Sequence, residues 1–505
     1  MSRARAAYRA CPAAVAVLAM AACGGGSSPT APGPSSAAGD VVEVAPDRWN
    51  FRRSASGRPF VPVGVNYDHD MSLPCPLLLE DYWHDRWADV ERDFQEIASL
   101  GFNVVRVHLQ FEQFIQGPGM PNQANLQKLD QLVRLAERNG LLLNLTGLGF
   151  YRRERVPAWY AGLGDDAAME AEAAFWTAVA SRYPDDPAIF AYDLQNEPNV
   201  YPGDTEDVVG VPFAPCDPDG PGPAPATGFS YVHNHFRHAG PRWTAWVQSK
   251  YATEAALRQA WSDFPRPGES FTAIARPGFF SSETRVRDHY AFMHDAAAVW
   301  TRRMVAAIRS VDRRHLITLG LTSGSLPFQD RLAADARELL IYSSFSPHHL
   351  RSLLDFTSVH VYPHAYGPRT NVDLSEMVLR GAHVGSPVVL EEMWPSVGGA
   401  PFERFLARSR GSVSGWFSFY WGRTPAELRA TGTLPNAIIA DWLERYSAFA
   451  RNEVPSGGLT RAVAEATTPA SIEALLFSQP ARVELSDRYS SYAAGDAFLD
   501  PVLQQ

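Results

Sequence analysis

Eight short apolar runs of strand length recur along the chain between Arg48 and Asn452: Phe60 to Val65, Phe102 to Leu109, Leu141 to Leu145, Ile189 to Leu194, Leu316 to Leu321, Phe356 to Val361, Val388 to Leu390 and Gly415 to Tyr420. They show little alternation, which suits parallel strands buried on both faces. Amphipathic stretches separate them, at Trp87 to Leu100, Ala168 to Tyr183, Arg287 to Val311 and Asn436 to Ala450. In another, stopped by Asn139-Gly140, residues Leu126, Leu129, Leu132, Val133 and Ala136 share one side. Eight strands alternating with helices define an α/β chain of the (β/α)8 TIM barrel type. A doubly wound open sheet is the rival, but no GxGxxG follows the first strand.

One connection is too long for a simple barrel. From Asn199 to about Ser282, after the fourth strand, the chain runs through a Pro/Gly-rich stretch around Cys216-Asp217-Pro218-Asp219-Gly220 and then a helical patch from Trp243 to Trp261. Long loops of this kind sit on the barrel face that carries active sites, so this insertion is expected to wall a cleft. Residues 41–452 are therefore read as one barrel that includes the 199–282 insertion. Residues 453–505, rich in Ala, Ser and Thr, form a C-terminal extension.

The amino terminus reads as an address. Arg3, Arg5 and Arg9 precede an apolar run from Ala13 to Ala22 that is too short to span a bilayer, the layout of a secretory signal over residues 1–22. Leu18-Ala19-Met20-Ala21-Ala22-Cys23 resembles a bacterial lipobox, which implies lipidation of Cys23; an ordinary cleaved signal is the alternative. Residues 23–40 would then be a flexible tether. Together these place the protein in the bacterial cell envelope, on a periplasmic or outer surface, touching the membrane only through its anchor. Cys75 and Cys216 lack CxxC neighbours, so no zinc site is expected, and they are read either as a disulfide or as two free thiols. With 45 Lys and Arg against 55 Asp and Glu, the net charge of -10 gives no field to attract nucleic acid.

Candidate chemistry lies at two strand ends. The fourth strand closes Asp193-Leu194-Gln195-Asn196-Glu197-Pro198, placing Glu197 where a barrel strand opens into its C-terminal loop. The seventh, Pro387-Val388-Val389-Leu390-Glu391-Glu392-Met393-Trp394, brings acids to the same rim. Successive strand residues point to opposite faces, so only one of Glu391 and Glu392 is expected to face the barrel mouth. Two carboxylates about 5 to 5.5 Å apart can flank a glycosidic bond and cleave it by double displacement. A strand-end acid that caps a helix or pairs with an Arg is the plainer alternative for either.

Asn196-Glu197-Pro198 and the Pro-Val-Val-x-Glu run resemble clan A glycoside hydrolases, most nearly family 5, the cellulase and mannanase family. The resemblance implies Glu197 as acid/base, Glu392 as nucleophile and Asn196 as a hydrogen-bond partner of the sugar 2-hydroxyl. It further implies Arg106, in Gly101-Phe102-Asn103-Val104-Val105-Arg106, as the cation that keeps the nucleophile ionised. His360 and Tyr362 would line the same subsite, and Trp421 would stack beneath the sugar. Tyr67 and Trp394, with Trp83, Trp159 and Tyr201, are further platform candidates. Two features depart from that pattern: Met393-Trp394 follows Glu392, and Leu143-Asn144-Leu145-Thr146-Gly147 lacks a His often found there. The Trp243 to Trp261 segment resembles an insertion of family 42 β-galactosidases. The expected function is a retaining β-glycoside hydrolase acting on a β-linked glucan, mannan or galactoside, with no cofactor or metal. Its rivals are a non-catalytic surface glycan-binding lipoprotein and a two-lobed solute-binding lipoprotein.

Overall fold

A computed structural model describes residues 39–67, 69–70, 77–150, 155–198, 239–278, 280–322, 325, 343–361, 365–366, 369–370, 379–393, 399–419 and 421–456. The signal and Cys23, Cys75, Cys216, Tyr201, Tyr362, Trp394 and residues 199–238 of the insertion lie outside these residues, as does the extension beyond Ser456.

Eight parallel strands close into a barrel: β1 (Val63–Asn66), β2 (Val104–Gln110), β3 (Leu142–Gly149), β4 (Ile189–Asn196), β5 (Leu316–Leu321), β6 (Thr357–His360), β7 (Val388–Glu392) and β8 (Gly415–Ser418). Each pairs with its neighbours in sequence, and β8 returns to β1. All eight are buried throughout, which explains their unbroken apolar character. The closed ring excludes a two-lobed hinge fold. Phe60, read as the start of the first strand, instead belongs to a small antiparallel sheet of Val42–Val44, Phe51–Arg53 and Pro59–Phe60.

The barrel has two unlike halves. At its N-terminal end Phe51 packs edge-on against Phe190 and Phe356, at 5.4 and 5.3 Å between ring centres, in a cluster with Val104, Leu142, Val389 and Phe417. This apolar plug closes the bottom. Toward the C-terminal end the buried positions turn polar, with Asn66, Arg106, Asn144, Asp193, Thr318, Ser358, His360, Glu391 and Glu392. Buried polar groups at this density need partners, and they find them in one another.

The helices follow from their apolar stripes. Those flanking the barrel include α1 (Trp87–Ser99), α2 (Gln123–Arg138), α3 (Asp165–Ala180), α4 (Glu283–Val311), α5 (Gly399–Ser409) and α6 (Leu434–Ser456). In α2 the residues Leu126, Leu129, Leu132, Val133 and Ala136 are buried as the spacing predicts. The Asn122 side chain caps its start, and Gly140, with φ of 69°, follows its end.

The described part of the insertion holds two helices, Ala239–Tyr251 and Glu254–Ala260, clamped to α4. Trp243 stacks on both Trp246 and Trp261, at 5.7 and 5.8 Å. Asp288 of α4 accepts hydrogen bonds from Lys250 Nζ at 2.6 Å, Tyr251 at 2.5 Å and Trp261 Nε1 at 2.9 Å. A buried indole removes roughly 150–250 Å² from water, a gross gain of about 4–6 kcal/mol, so the two fully buried ones, Trp243 and Trp261, dominate this attachment.

Two histidines of α4 make stability pH-dependent. Burial, with Arg276 nearby, pushes His289 down to about 3; it lies against Trp243 and Phe292. Burial, with repulsion from His349 and His348, does the same to His294, which stacks on His349 at 4.0 Å and meets Tyr290 edge-on. Between about pH 6.5 and 3 the unfolded chain binds protons at these positions that the native chain does not, so acidification draws the equilibrium toward unfolding. Each should lose about 2 kcal/mol of stability by pH 5 relative to pH 8. Thermal denaturation of His294→Gln across that range is expected to show a shallower acid limb than wild type, and parallel curves would contradict the assignment.

Candidate active site

Local distortions build the site. On β4, Asp193 pairs with Thr318 while Asn196 pairs with Gly320, so one extra residue is inserted against β5. Residues three apart on a regular strand face opposite ways; the bulge turns both Asp193 and Asn196 inward. On β7, Leu390 pairs with Val359 and Glu392 with His360, leaving Glu391 as the extra residue. Both Glu391 and Glu392 therefore point into the barrel, which corrects the expectation that only one would.

Glu197 follows directly on β4 in a left-handed conformation, with φ of 45°, and its backbone N–H donates to the Gly320 carbonyl at 2.8 Å. A non-glycine residue held there costs about 1 kcal/mol or more. The conformation sets its side chain, 30% exposed, at the mouth. Oxygens of Glu197 and Glu392 and a ring nitrogen of His360 lie within 4.8 Å of one another.

Arg106 organises the floor. Its Nη1 donates to Glu392 Oε1 at 2.6 Å and to Asn66 Oδ1 at 2.8 Å. Its Nη2 donates to Asp193 Oδ2 at 2.7 Å and to Asn196 Oδ1 at 2.9 Å, and its Nε pairs with Glu391 Oε1 at 3.5 Å. Burial disfavours the guanidinium charge, but Glu391, Asp193 and Glu392 outweigh it and raise its pKa well above the ordinary value. Asn196 presents its oxygen to Arg106, so its NH2 is the end left to act as donor. His360 Nδ1 lies 2.8 Å from Glu197 and 3.5 Å from Glu392, with Nε2 3.4 Å from Glu391. Burial alone would lower its pKa; Glu392, Glu197 and Glu391 reverse this and push it up to about 10. Burial and repulsion from Glu391 raise Asp193 to about 6 against the pull of Arg106. For Glu391, burial is overcome by Arg106, His360 and Asn144, and its pKa falls. The trio of Glu197, His360 and Glu392 has a spacing a metal ion could use, but the fixed charge of Arg106 beside Glu392 makes it a poor cation site.

The structure thus brings together Arg106, Asn196, Glu197, His360 and Glu392. It does not add Tyr67, which is buried with its hydroxyl donating to Asp93 of α1 at 2.8 Å, in the layer between barrel and helices. Trp421 lies near the mouth, its backbone N–H donating to Asn66 at 2.6 Å, but its indole is buried and is not an open platform. Trp83 is buried against Phe114, and Trp159 packs on Phe111 and Tyr160. Sequence reasoning missed Asp193 and Glu391 as members of the network. A charged residue between Tyr192 and Leu194, inside an otherwise buried strand, was the signal available for the first.

A closed barrel with a buried arginine–carboxylate network in its floor and acids at its C-terminal mouth is the architecture of enzymes that work at the ends of barrel strands. Comparison with known proteins agrees with that class. Residues 61–210 match the cellulase family, glycosyl hydrolase family 5. Two curated proteins are similar over part of the chain. The probable mannan endo-1,4-beta-mannosidase F of Emericella nidulans is 30% identical over 190 residues, covering 32% of this chain and 42% of its own length. The glucan 1,3-beta-glucosidase of Blumeria graminis is 30% identical over 181 residues, covering 33% and 40%. The chain thus matches less than half the length of either. Among solved structures, the exo-beta-1,4-mannosidase Op5Man5 from Opitutaceae bacterium strain TAV5 shares the fold with a TM-score of 0.51 at 17% identity, covering 82% of this chain and 63% of that one. The beta-galactosidase from Rahnella sp. R3 does so with a TM-score of 0.53 at 15% identity, covering 79% and 57%.

Proposed function

We propose that the protein is a retaining β-glycoside hydrolase acting on a β-linked glucan, mannan or galactoside. One observation carries the reading: Glu197, just after β4, and Glu392, on β7, bring carboxylate oxygens within 4.8 Å of each other at the barrel mouth. Arg106, at 2.6 Å, favours the ionised form of Glu392 that a nucleophile requires. In the first step a Glu392 oxygen attacks the anomeric carbon, the bond to the leaving oxygen breaks, and Glu197 gives that oxygen its proton. In the second, the Glu197 carboxylate takes a proton from water, the water oxygen attacks the same carbon, and the ester to Glu392 breaks. Both side chains end as they began. Asn196 is the residue placed to donate to the 2-hydroxyl, where a hydrogen bond strengthens in the transition state. Tyr362 and Trp394 are proposed to bind the sugar. A surface glycan-binding protein without catalysis would have no need to hold two acids and two cations in this register.

Hydrolysis of aryl β-glucoside, mannoside, galactoside and xyloside, with β-glucan and mannan, tests the reading and ranks the sugars. A 2-fluoro glycosyl probe of the preferred sugar is expected to label Glu392; labelling of Glu391 would reverse the assignment on β7. Lipid anchoring at Cys23 belongs to the same proposal and places the reaction in the cell envelope. No described helix is long and apolar enough to cross a membrane.

A further inference from the structure

We propose that Glu391 is a positioning residue for both cations of the site: one of its oxygens holds Arg106, which addresses Glu392, and the other holds the His360 ring, which addresses Glu197. The inference rests on the glycosidase reading and gives a role to a residue which that reading leaves idle. Glu391 is fully buried and reaches three strands. Its Oε1 accepts from Asn144 Nδ2 of β3 at 2.6 Å and pairs with Arg106 Nε of β2 at 3.5 Å, and its Oε2 lies 3.4 Å from His360 Nε2 of β6. The bulge on β7 lets Glu391 enter the barrel without displacing Glu392. Space is cleared for it on β5, where a side-chain carbon at Gly320 would stand 2.8 Å from Arg106 Nη2 and 3.1 Å from both Glu391 Oε2 and His360 Nε2. Gly320 is therefore the missing wall of this cluster.

The arrangement determines the state of His360. Its two ring nitrogens face acceptors on opposite sides, Glu197 at Nδ1 and Glu391 at Nε2. A neutral imidazole has one N–H and would turn a lone pair toward one carboxylate whenever both are ionised, as they are once Glu197 has given up its proton; the doubly protonated ring has a donor for both in either state of Glu197. The groups facing it are Glu197 from the end of β4, Glu391 and Glu392 from β7, and Arg106 from β2, so carboxylates outnumber cations. Held this way, the imidazolium stays beside Glu197 while that residue releases and recovers its proton. Glu391 touches no substrate; it acts through His360 and Arg106.

Glu391→Gln separates this role from simple packing. Its amide can offer the carbonyl to Asn144 and Arg106 but must turn its NH2 toward His360 Nε2, which favours a neutral ring protonated at Nδ1. Nitrogen NMR of 15N-histidine-labelled full-length protein, with His360 assigned by comparison with His360→Gln, is the test. The wild-type ring is expected to show two protonated nitrogens at pH 7, and the Gln variant one. An unchanged ring in the Gln variant, or a neutral ring in wild type, overturns the proposal. Glu391→Asp retains the charge but withdraws it by one methylene, and covers the case in which the Gln variant does not fold. It is expected to keep the doubly protonated ring and to lower kcat on an activated aryl glycoside by about 100-fold with little change in KM; unchanged kcat overturns the proposal. The ring measurement needs no turnover, so a protein that cleaves no glycoside would sink the glycosidase reading while still reporting on Glu391.

Discussion

Glu392→Ala is expected to reduce turnover by about 10⁴-fold or more, because it removes the proposed nucleophile, on which the covalent intermediate would form. Azide fits the space left by the carboxylate and can attack the anomeric carbon directly, giving a glycosyl azide of inverted configuration. Glu197→Ala should behave differently. It is expected to cost about 10²- to 10⁴-fold on natural linkages, which need protonation to depart, and far less on aryl glycosides with good leaving groups. There the intermediate on Glu392 still forms, so azide should rescue its breakdown and give a product of retained configuration. The two variants thus predict opposite stereochemistry, readable by proton NMR of the azide products. The same configuration from both would mean that the roles of nucleophile and acid/base are wrongly divided.

Arg106→Met is expected to be the most damaging substitution in the floor of the barrel. It leaves Asp193, Glu391 and Glu392 buried without the guanidinium that each now contacts. Breaking a buried pair by deleting one partner costs about 3–5 kcal/mol, and three stranded acids place the loss at or above the top of that range. Without the cation these acids would hold protons more tightly in the native chain than in the unfolded one. The native state then binds the extra protons, and the variant should lose stability as pH rises from about 4 toward 8. Urea denaturation of wild type and variant at pH 5 and pH 8 measures this; a gap that narrows at pH 8 would contradict the charge balance described for Arg106. Arg106→Lys should recover part of the stability but little activity, since one ammonium cannot replace a planar fork spread over five acceptors.

The barrel was legible because its strands are buried on both faces, and eight apolar runs separated by amphipathic helices, with no GxGxxG after the first, favour a closed ring over an open sheet. Glu197 was legible because it stands where a strand ends, so that a polar residue after an apolar run stands out; Arg106, inside β2, and His360, at the end of β6, were legible through the family resemblance. Glu391 was misjudged for a physical reason: alternation holds only while a strand stays regular, and the inserted residue on β7 breaks it. Asp193 and Asn196 share one guanidinium for the same reason on β4. Tyr67 looked available because it follows the first strand, but its hydroxyl finds Asp93 in the helical layer. An aromatic residue at a strand end carries no mark of which layer will claim it. Residues 199–238, expected from their position to wall a cleft, are a Pro- and Gly-rich stretch whose sequence has no period from which to read a shape.

The twisted backbone at position 197 sets chemistry against durability. A glycine or asparagine would occupy that left-handed turn with less strain, so replacements that remove the proposed proton donor also relax the native chain. If the proposed chemistry were no longer selected for, this one position would slope downhill, toward a sturdier, inert barrel.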